Sequence, residues 1–203
     1  MNPMKCAFRV SAGKFFGFLV HHRGISVDLA KATTIATMKR PTTVRELTSF
    51  LGRASYIRRF VLGLSSVTST LSKLLKKGAE FTWGTKKQEA FQRIQQIMNH
   101  LPTLQAQVRG RTLLLYLASY SQVIGALLEQ EDDDKNQQPI YYINRTLKDT
   151  ESMYPRIEKA CLVIIHASQR LKQYFSTHQI LLVTKSHPIK ALIHQPLLTG
   201  RIA

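Results

Sequence analysis

The hydrophobic pattern of the chain changes its period near residue 110. Between about residue 42 and that point, apolar residues recur every three to four positions, which is typical of amphipathic helices. Beyond it, short apolar runs bounded by turn residues predict strands. The segment 99–111 between the two parts is polar and rich in turn-forming residues. We therefore expect a domain boundary at about residues 103–111.

The first forty residues predict a β-hairpin. Two short alternating runs, at 6–10 and 14–20, flank the turn-forming tetrapeptide SAGK. The segment HHRG at 21–24 then turns the chain again.

A helical block follows the hairpin. Thr42 or Thr43 can cap its first helix, and Glu46 stands three residues after Thr43, which is the capping-box spacing. Gly63 ends this pattern. One face of the first helix is expected to carry Val44, Leu47, Leu51, Ala54, Ile57 and Val61.

Two more helices are predicted before the boundary. The first runs from about 66 to 76 and ends at Gly78. The second follows the sequence FTWG, where Thr85 can cap it and Phe91, Ile94 and Met98 share a face.

The second half predicts a mixed sheet with helices. The acidic stretch EQEDDDKNQQ is expected to be an exposed hairpin loop rather than a cation site, because consecutive acids at a loop tip lack convergent geometry. The predicted elements are strands at 112–118, 123–130 and 138–144, a helix at 150–175, a strand at 179–185 and a short helix after Pro188. The whole chain is thus expected to be α/β, with a helical N-terminal part followed by a mixed sheet.

Charge is distributed unevenly over the 203 residues, whose net charge is +17. Residues 1–112 hold 19 Lys and Arg against 4 Asp and Glu, a net of +15. A field of this sign attracts phosphate backbones and favours salt-sensitive, sequence-independent association. The alternative is a solvated surface that only keeps the protein soluble.

Other function classes receive little support from the composition. No apolar run approaches the roughly 18 residues needed to cross a bilayer, and the N-terminal segment lacks the features of a signal peptide. We expect an intracellular protein with no membrane partner. Cys6 and Cys161 lack metal-ligand spacing, so we expect buried free thiols rather than a disulfide or a zinc site.

Four stretches occur in the order expected for a reverse transcriptase: NPMKCAFRVSAGKFFGFLVHHRGISVD, PTTVRELTSFLGRASYIRRFV, FTWGTKKQEAFQRIQQIM and IYYINRTLKDTESMYPRIEKACL. Over nearly its whole length the chain resembles the C-terminal part of reverse transcriptases from gypsy-class LTR retrotransposons, followed by their ribonuclease H-like domain. The resemblance implies the end of a palm at 1–38, thumb-like helices at 39–104, and a ribonuclease H-like domain at 105–203 that is truncated at its C-terminus.

The resemblance also implies a nucleic-acid interface. In the family a hairpin matching Phe15 to Phe18 holds the primer end, so Phe16 and Gly17 are candidate binding residues, although apolar hairpin residues serve equally as core. The matching thumb helix lies along the minor groove of the duplex. Its candidates are Thr48, Gly52 and Tyr56 for close approach, and Arg45, Arg53, Arg58 and Arg59 for phosphates.

Gly52 carries the most weight among these residues. A glycine inside an exposed helix costs about 1 kcal/mol relative to alanine, so its presence calls for a close-approach reason. Close packing against another helix of the same chain would serve as well as a duplex.

Both catalytic centres of the family lack their carboxylates in this chain. The polymerase aspartates belong upstream of Met1, and Asp28 is the only aspartate before Asp132. Ribonuclease H chemistry needs several carboxylates around two metal ions. The resemblance places these positions at Ala118 (or Leu117 in an alternative alignment), Ala160 and Lys185, none of which is an acid. We expect no catalytic residue and no metal cofactor, whereas active relatives use Mg²⁺.

The expected function is therefore that of a retrotransposon Pol fragment that binds an RNA–DNA or DNA duplex through its basic half. A missing upstream polymerase domain is a further candidate partner. Two alternatives stay open. One is residual ribonuclease H activity through Asp149, Glu151 or Glu158, and the other is a non-catalytic interaction module adopted by a host.

Overall fold

The computed structural model describes residues 10–61 and 63–184. The predicted helix after Pro188, the candidate position Lys185 and the thiol of Cys6 lie outside these residues. The described chain forms two four-stranded sheets, each with its own hydrophobic core. The predicted mixed α/β fold class is confirmed.

The first sheet is antiparallel and has the order β1-β2-β3-β4. Its fourth strand comes after four helices and pairs with the third strand, so the chain returns to the first sheet. The strands are β1 (Ala12–Phe15), β2 (Phe18–His21), β3 (Gly24–Val27) and β4 (Leu104–Gln105).

The helices between β3 and β4 build the first core. It is centred on Leu47, Phe50 and Phe91, all of which are almost fully buried. These helices are α1 (Leu29–Ala36), α2 (Val44–Tyr56), α3 (Leu64–Ser72) and α4 (Thr85–Met98), with 3-10 turns at Arg58–Phe60 and Lys73–Leu75.

The second sheet has the order β7-β6-β5-β8, in which only the β5–β8 pair is parallel. Helix α6 covers one face of it, and Val163 and Ala167 pack against Leu113 and Leu115 there. The elements are β5 (Leu113–Ser119), β6 (Val123–Glu131), β7 (Gln137–Thr146), α5 (Asp149–Ser152), α6 (Arg156–Arg170), α7 (Lys172–Phe175) and β8 (Ile180–Val183).

The N-terminal hairpin differs from its prediction. The tetrapeptide SAGK does not form the turn, because Ala12 to Phe15 belong to β1. Phe16 and Gly17 form the turn instead, with φ angles of 47° and 80°. A two-residue hairpin turn favours this left-handed backbone, which glycine adopts without a steric cost.

The first long helix begins as predicted, and its buried face differs in part. The Thr43 hydroxyl accepts a hydrogen bond from the backbone N–H of Glu46, and the Glu46 carboxylate accepts one from the backbone N–H of Thr42. The hydrogen bonds that the Glu46 carboxylate accepts from the backbone N–H and the hydroxyl of Thr42 hold its pKa below its usual range. Phe50 is buried on this helix, while Val44 is 46% exposed.

The long helix predicted at 150–175 is interrupted. Pro155 separates α5 from α6, and a short break at Leu171 precedes α7. A proline has no N–H to donate and is tolerated at a helix start, which explains why α6 begins directly after it. The buried residues of α6 are Ala160, Val163 and Ala167.

One buried side chain joins the helical part of the first core to the second sheet. The Asn144 carboxamide on β7 accepts hydrogen bonds from the backbone N–H and the hydroxyl of Ser65, at 2.9 and 2.5 Å. Its Nδ2 donates to the backbone oxygens of Arg58 and Val61, at 3.2 and 2.9 Å. The first core and the second sheet are therefore held in a fixed relation at β7.

Candidate nucleic-acid interface

The turn of the N-terminal hairpin is fixed against helix α2. The Tyr56 hydroxyl donates a hydrogen bond to the backbone oxygen of Phe16, 2.7 Å away. The Tyr56 ring stacks on Phe18 with a centroid distance of 4.4 Å and an interplanar angle of 6°. Burial raises the pKa of the Tyr56 hydroxyl, so it stays a hydrogen-bond donor at neutral pH.

Gly17 is required at the point where the hairpin meets α2. A Cβ at this position would lie 2.5 Å from the Tyr56 hydroxyl and 2.0 Å from Lys31 Nζ. Lys31 in turn lies over the Tyr56 ring, 4.7 Å from its centroid. The aromatic rings of Phe15 and Phe16 remain outside this packing and are 64% and 79% exposed.

A second fixed point holds the other side of the hairpin. Asp28 caps helix α1 by accepting a hydrogen bond from the N–H of Ala30, and it forms a 2.9 Å ion pair with Lys14 of β1. The hydrogen bond from Lys14 is the main cause that lowers the pKa of this carboxyl. The hairpin thus has attachments to both α1 and α2.

Nothing in the described chain packs over Gly52. A Cβ built there meets no atom within 4 Å outside its own helix backbone. The exposed helix position therefore has no packing partner within the described residues that would require glycine. A shallow depression of about 440 Å³ lies beside it, between α1 and α2, lined by Lys31, Thr34, Ile35, Ser49, Gly52, Arg53 and Tyr56.

Six residues that the hairpin, α1 and α2 bring together define what we call the hairpin–helix surface: Phe16, Gly17, Lys31, Gly52, Arg53 and Tyr56. Five of them were sequence candidates, and Lys31 was missed because α1 was not predicted. The sequence did carry a signal for α1, since Asp28 stands directly before the helix as an N-cap. Two other candidates, Arg45 and Thr48, are exposed on α2 nearer its N-terminus.

Arg58 and Arg59 do not share a helix with Arg53, contrary to the sequence interpretation. Helix α2 ends at Tyr56, and both arginines lie in the 3-10 turn that follows. The Arg59 guanidinium lies over the rings of Phe18 and Tyr141, at 5.1 and 5.5 Å from their centroids. They face β7, away from the depression beside Gly52.

The expected carboxylate positions lie on different faces of the second sheet. Leu117 packs into the core between the sheet and α6, while Ala118 lines a cleft on the opposite side with residues of α3. Side chains of adjacent strand residues point to opposite faces, so only Leu117 can converge with Ala160 of α6. Ala160 is buried and apolar.

Two acidic side chains in the second half, those of Asp132 and Glu151, serve structural roles. Asp132 accepts hydrogen bonds from the backbone N–H groups of Asp134 and Asn136 in its loop, which helps to lower its pKa. Glu151 accepts hydrogen bonds from Arg145 and from the backbone of Lys148. In residues 10–61 and 63–184 no three His, Cys, Asp or Glu side chains are grouped so that they could hold a metal ion. Over the same ranges no helix is long and apolar enough to span a membrane.

The comparisons with known proteins agree with this architecture. Residues 83–182 match the family model of the RNase H-like domain found in reverse transcriptase. This segment is therefore similar to the RNase H-like domains of reverse transcriptases. The match begins before α4, so it includes a helix that packs in the first core.

Relatives of the whole chain are transposon polyproteins. The Transposon Tf2-3 and Tf2-4 polyproteins of Schizosaccharomyces pombe are each 28% identical to it over 202 residues. The alignment covers 100% of this chain and 15% of each relative, so the chain corresponds to a small part of the curated relatives.

Solved structures of foamy viral protease-reverse transcriptase share the fold. The complex with dsDNA has a TM-score of 0.77 at 21% identity and covers 96% of this chain and 40% of its own. The complex with an RNA/DNA hybrid has a TM-score of 0.72 at 19% identity and covers 98% of this chain and 28% of its own. The similarity of fold extends across both sheets and therefore beyond the segment that matches the family model.

Proposed function

We propose that the chain is a duplex-binding part of a gypsy-class retrotransposon Pol polyprotein and performs no chemistry by itself. In this proposal residues 1–38 end the palm, 39–104 form the thumb, and 105–203 are a RNase H-like domain without catalytic acids. The hairpin–helix surface, with Arg45 and Thr48 beside it, contacts the template–primer duplex.

The observation that carries the proposal is the open space over Gly52. The intrachain explanation for a helical glycine fails here, because no described residue lies within contact distance of its missing Cβ. A partner that approaches the α2 backbone closely supplies the remaining reason. Lys31 and Arg53 flank the same depression and suit a polyanionic partner.

Charge and relatives support a nucleic acid as that partner. The net charge of +15 lies in the half that contains this surface. Two structures with the same fold were determined with dsDNA and with an RNA/DNA hybrid, which shows what those foamy viral proteins bind. Phosphate contacts would position a duplex without reading its sequence.

The absence of chemistry is proposed from the side chains at the matched positions. Leu117 of β5 packs against the second core and Ala160 of α6 is buried, and both are apolar, so neither offers an oxygen ligand to Mg²⁺. No cofactor is therefore assigned to the chain. The second sheet would act as a support that links the thumb to the duplex.

Filter binding with the full chain tests the proposal. A labelled RNA–DNA hybrid and a DNA duplex of unrelated sequence should both bind, and the Kd should rise at least roughly tenfold between about 50 and 200 mM salt. A Kd that does not change with salt, or the absence of binding at low salt, would contradict it. Incubation of the hybrid with Mg²⁺ should leave its RNA strand intact.

A further inference from the structure

A second basic feature lies at the joint between the first core and the second sheet. A cleft of about 400 Å³ opens between the 3-10 turn after α2 on one side and β7 with α6 on the other. We call it the arginine cleft and define it by Arg58, Arg59, Tyr141, Arg145, His166 and Arg170. It lies apart from the depression at Gly52, and Tyr56 is the only described residue that lines both.

The positive charge of this cleft is incompletely neutralised within the described chain. None of the described residues that line it is acidic. Arg145 forms an ion pair with Glu151 at 2.5 Å, and of the ion pairs among residues 10–61 and 63–184 this is the only one made by a cleft arginine. Three guanidinium groups therefore lack an acidic partner in the described chain.

The walls of the cleft are held in place before any ligand arrives. Asn144 bonds the backbone oxygen of Arg58 on one wall and belongs to β7 on the other. Arg59 is packed between the rings of Phe18 and Tyr141, and the Arg145 side chain is only 25% exposed. A ligand would lose little affinity to the ordering of these side chains.

Chemistry and size select the ligand. Guanidinium groups present paired N–H donors that match the oxygens of phosphate, and they remain charged at all physiological pH values. The cleft volume falls within the range of small-molecule sites, so it can admit a phosphodiester segment or a short polyphosphate. Burial lowers the pKa of His166, and the charges of the nearby Arg145 and Arg170 act in the same direction.

We propose that the arginine cleft is a phosphate-binding site at the joint of the first core and the second sheet, distinct from the hairpin–helix surface. The phosphate can come from a nucleic-acid backbone or from a free polyphosphate. Only the first source rests on the proposed duplex binding. Because its walls belong to both halves of the chain, an occupied cleft would also strengthen the joint.

Calorimetric titration of the full chain with tripolyphosphate at low ionic strength tests the site directly. The double variant Arg58→Gln/Arg170→Gln removes two exposed guanidinium groups and should raise the Kd at least roughly tenfold. The matched control Arg93→Gln/Arg156→Gln removes the same charge from exposed positions outside the cleft and should bind as the unmodified chain does. Thermal unfolding of each variant checks that it is folded.

The conservative variant Arg58→Lys/Arg170→Lys separates charge from geometry. It keeps both charges and loses the paired donors, so its Kd should lie between those of the unmodified chain and the glutamine variant. The proposal is overturned if tripolyphosphate does not bind, or if the cleft variant and the control variant bind it equally.

Duplex binding by the same proteins identifies the source of the phosphate. If the backbone of a nucleic acid occupies the cleft, tripolyphosphate should compete with the duplex and the cleft variant should lose affinity for both. A free polyphosphate is indicated if duplex affinity is equal in the cleft and control variants. If no protein binds duplex while the tripolyphosphate result holds, the proposed function fails and the phosphate site stands.

Discussion

Asn144 and Ser65 are 79 positions apart in the chain and share two hydrogen bonds through the Asn144 Oδ1 atom. The other end of the same carboxamide donates to two backbone oxygens of the first half. Asn144 is 4% exposed; its bonds to Ser65 and to the Val61 oxygen are buried, and its bond to the Arg58 oxygen is partly buried. The Asn144 side chain thus provides hydrogen-bond partners for polar groups that lose contact with water where the first core meets the second sheet.

Substitution of Asn144 should weaken the joint strongly. Asn144→Ala leaves the Ser65 N–H and hydroxyl and two carbonyl oxygens without this partner, and each buried unsatisfied group costs about 1–3 kcal/mol. We expect a loss of about 3 kcal/mol in the free energy of unfolding, measured by urea denaturation. Asn99→Ala, at an exposed position after α4, is the control and should change it by less than about 0.5 kcal/mol. An equal effect of the two substitutions would exclude a special role for Asn144.

Gly52→Ala should raise the stability of the fold and lower its affinity for a duplex. Alanine at an exposed helix position with free space around it should stabilise the fold by about 1 kcal/mol. The added methyl group occupies the space proposed for the duplex, so affinity should fall roughly tenfold, equivalent to ~1.4 kcal/mol. Thermal unfolding and filter binding measure the two effects.

The control for Gly52→Ala is Gln92→Ala, which adds alanine to the exposed side of α4. It should leave duplex affinity unchanged. A Gly52→Ala protein that binds the duplex as tightly as the unmodified chain would remove the main support for the hairpin–helix surface.

Local sequence patterns predicted the strands of the second sheet closely. They did not predict the joint at Asn144 between the first core and this sheet. Strands expected at 112–118, 123–130 and 138–144 are observed at Leu113–Ser119, Val123–Glu131 and Gln137–Thr146. Their alternating or continuous apolar runs lie between clear turn residues, so the signal is contained in each segment. Asn144 lies in one of these strands, but its partners are remote in sequence, and no local pattern indicates them.

The sequence correctly grouped candidate residues that lie on one helix. It did not predict the positions of residues that depend on contacts between elements. Gly52 and Tyr56 share one helix, so their spacing places them together. Arg58 and Arg59 continue the same run of residues, and no Gly or Pro between them and Tyr56 indicates that α2 has ended. Tertiary packing against β7 determines this change of direction, which local propensity does not encode.

Tyr56→Phe should loosen the hairpin without removing the aromatic stack. The variant loses the 2.7 Å hydrogen bond to the Phe16 oxygen and keeps the ring on Phe18. Because the bond is at the surface, the global stability should fall by about 1 kcal/mol or less. Amide hydrogen exchange should become faster in β1 and β2, and duplex affinity should fall several-fold. Tyr120→Phe, at a 70% exposed position, should change neither measurement.

Protonation of His166 should lower the free energy of unfolding at pH values above the range in which carboxylates titrate. Burial, Arg145 and Arg170 lower the pKa of His166 from its ordinary value of 6.5, against the opposing effect of Glu151. As the pH falls below 6.5, the unfolded chain takes up the proton first, so the folded state loses stability until the pH passes the folded pKa. His166→Gln should reduce the loss of stability between pH 7 and pH 5.5, as followed by urea denaturation at each pH.

Phosphate binding should raise the pKa of His166. An anion in the arginine cleft offsets the field of Arg145 and Arg170, so tripolyphosphate should raise the pKa of His166 in an NMR titration. His178 lies outside the cleft and provides an internal control in the same spectra. A His166 pKa that is unchanged at saturating tripolyphosphate would place the bound anion elsewhere on the protein.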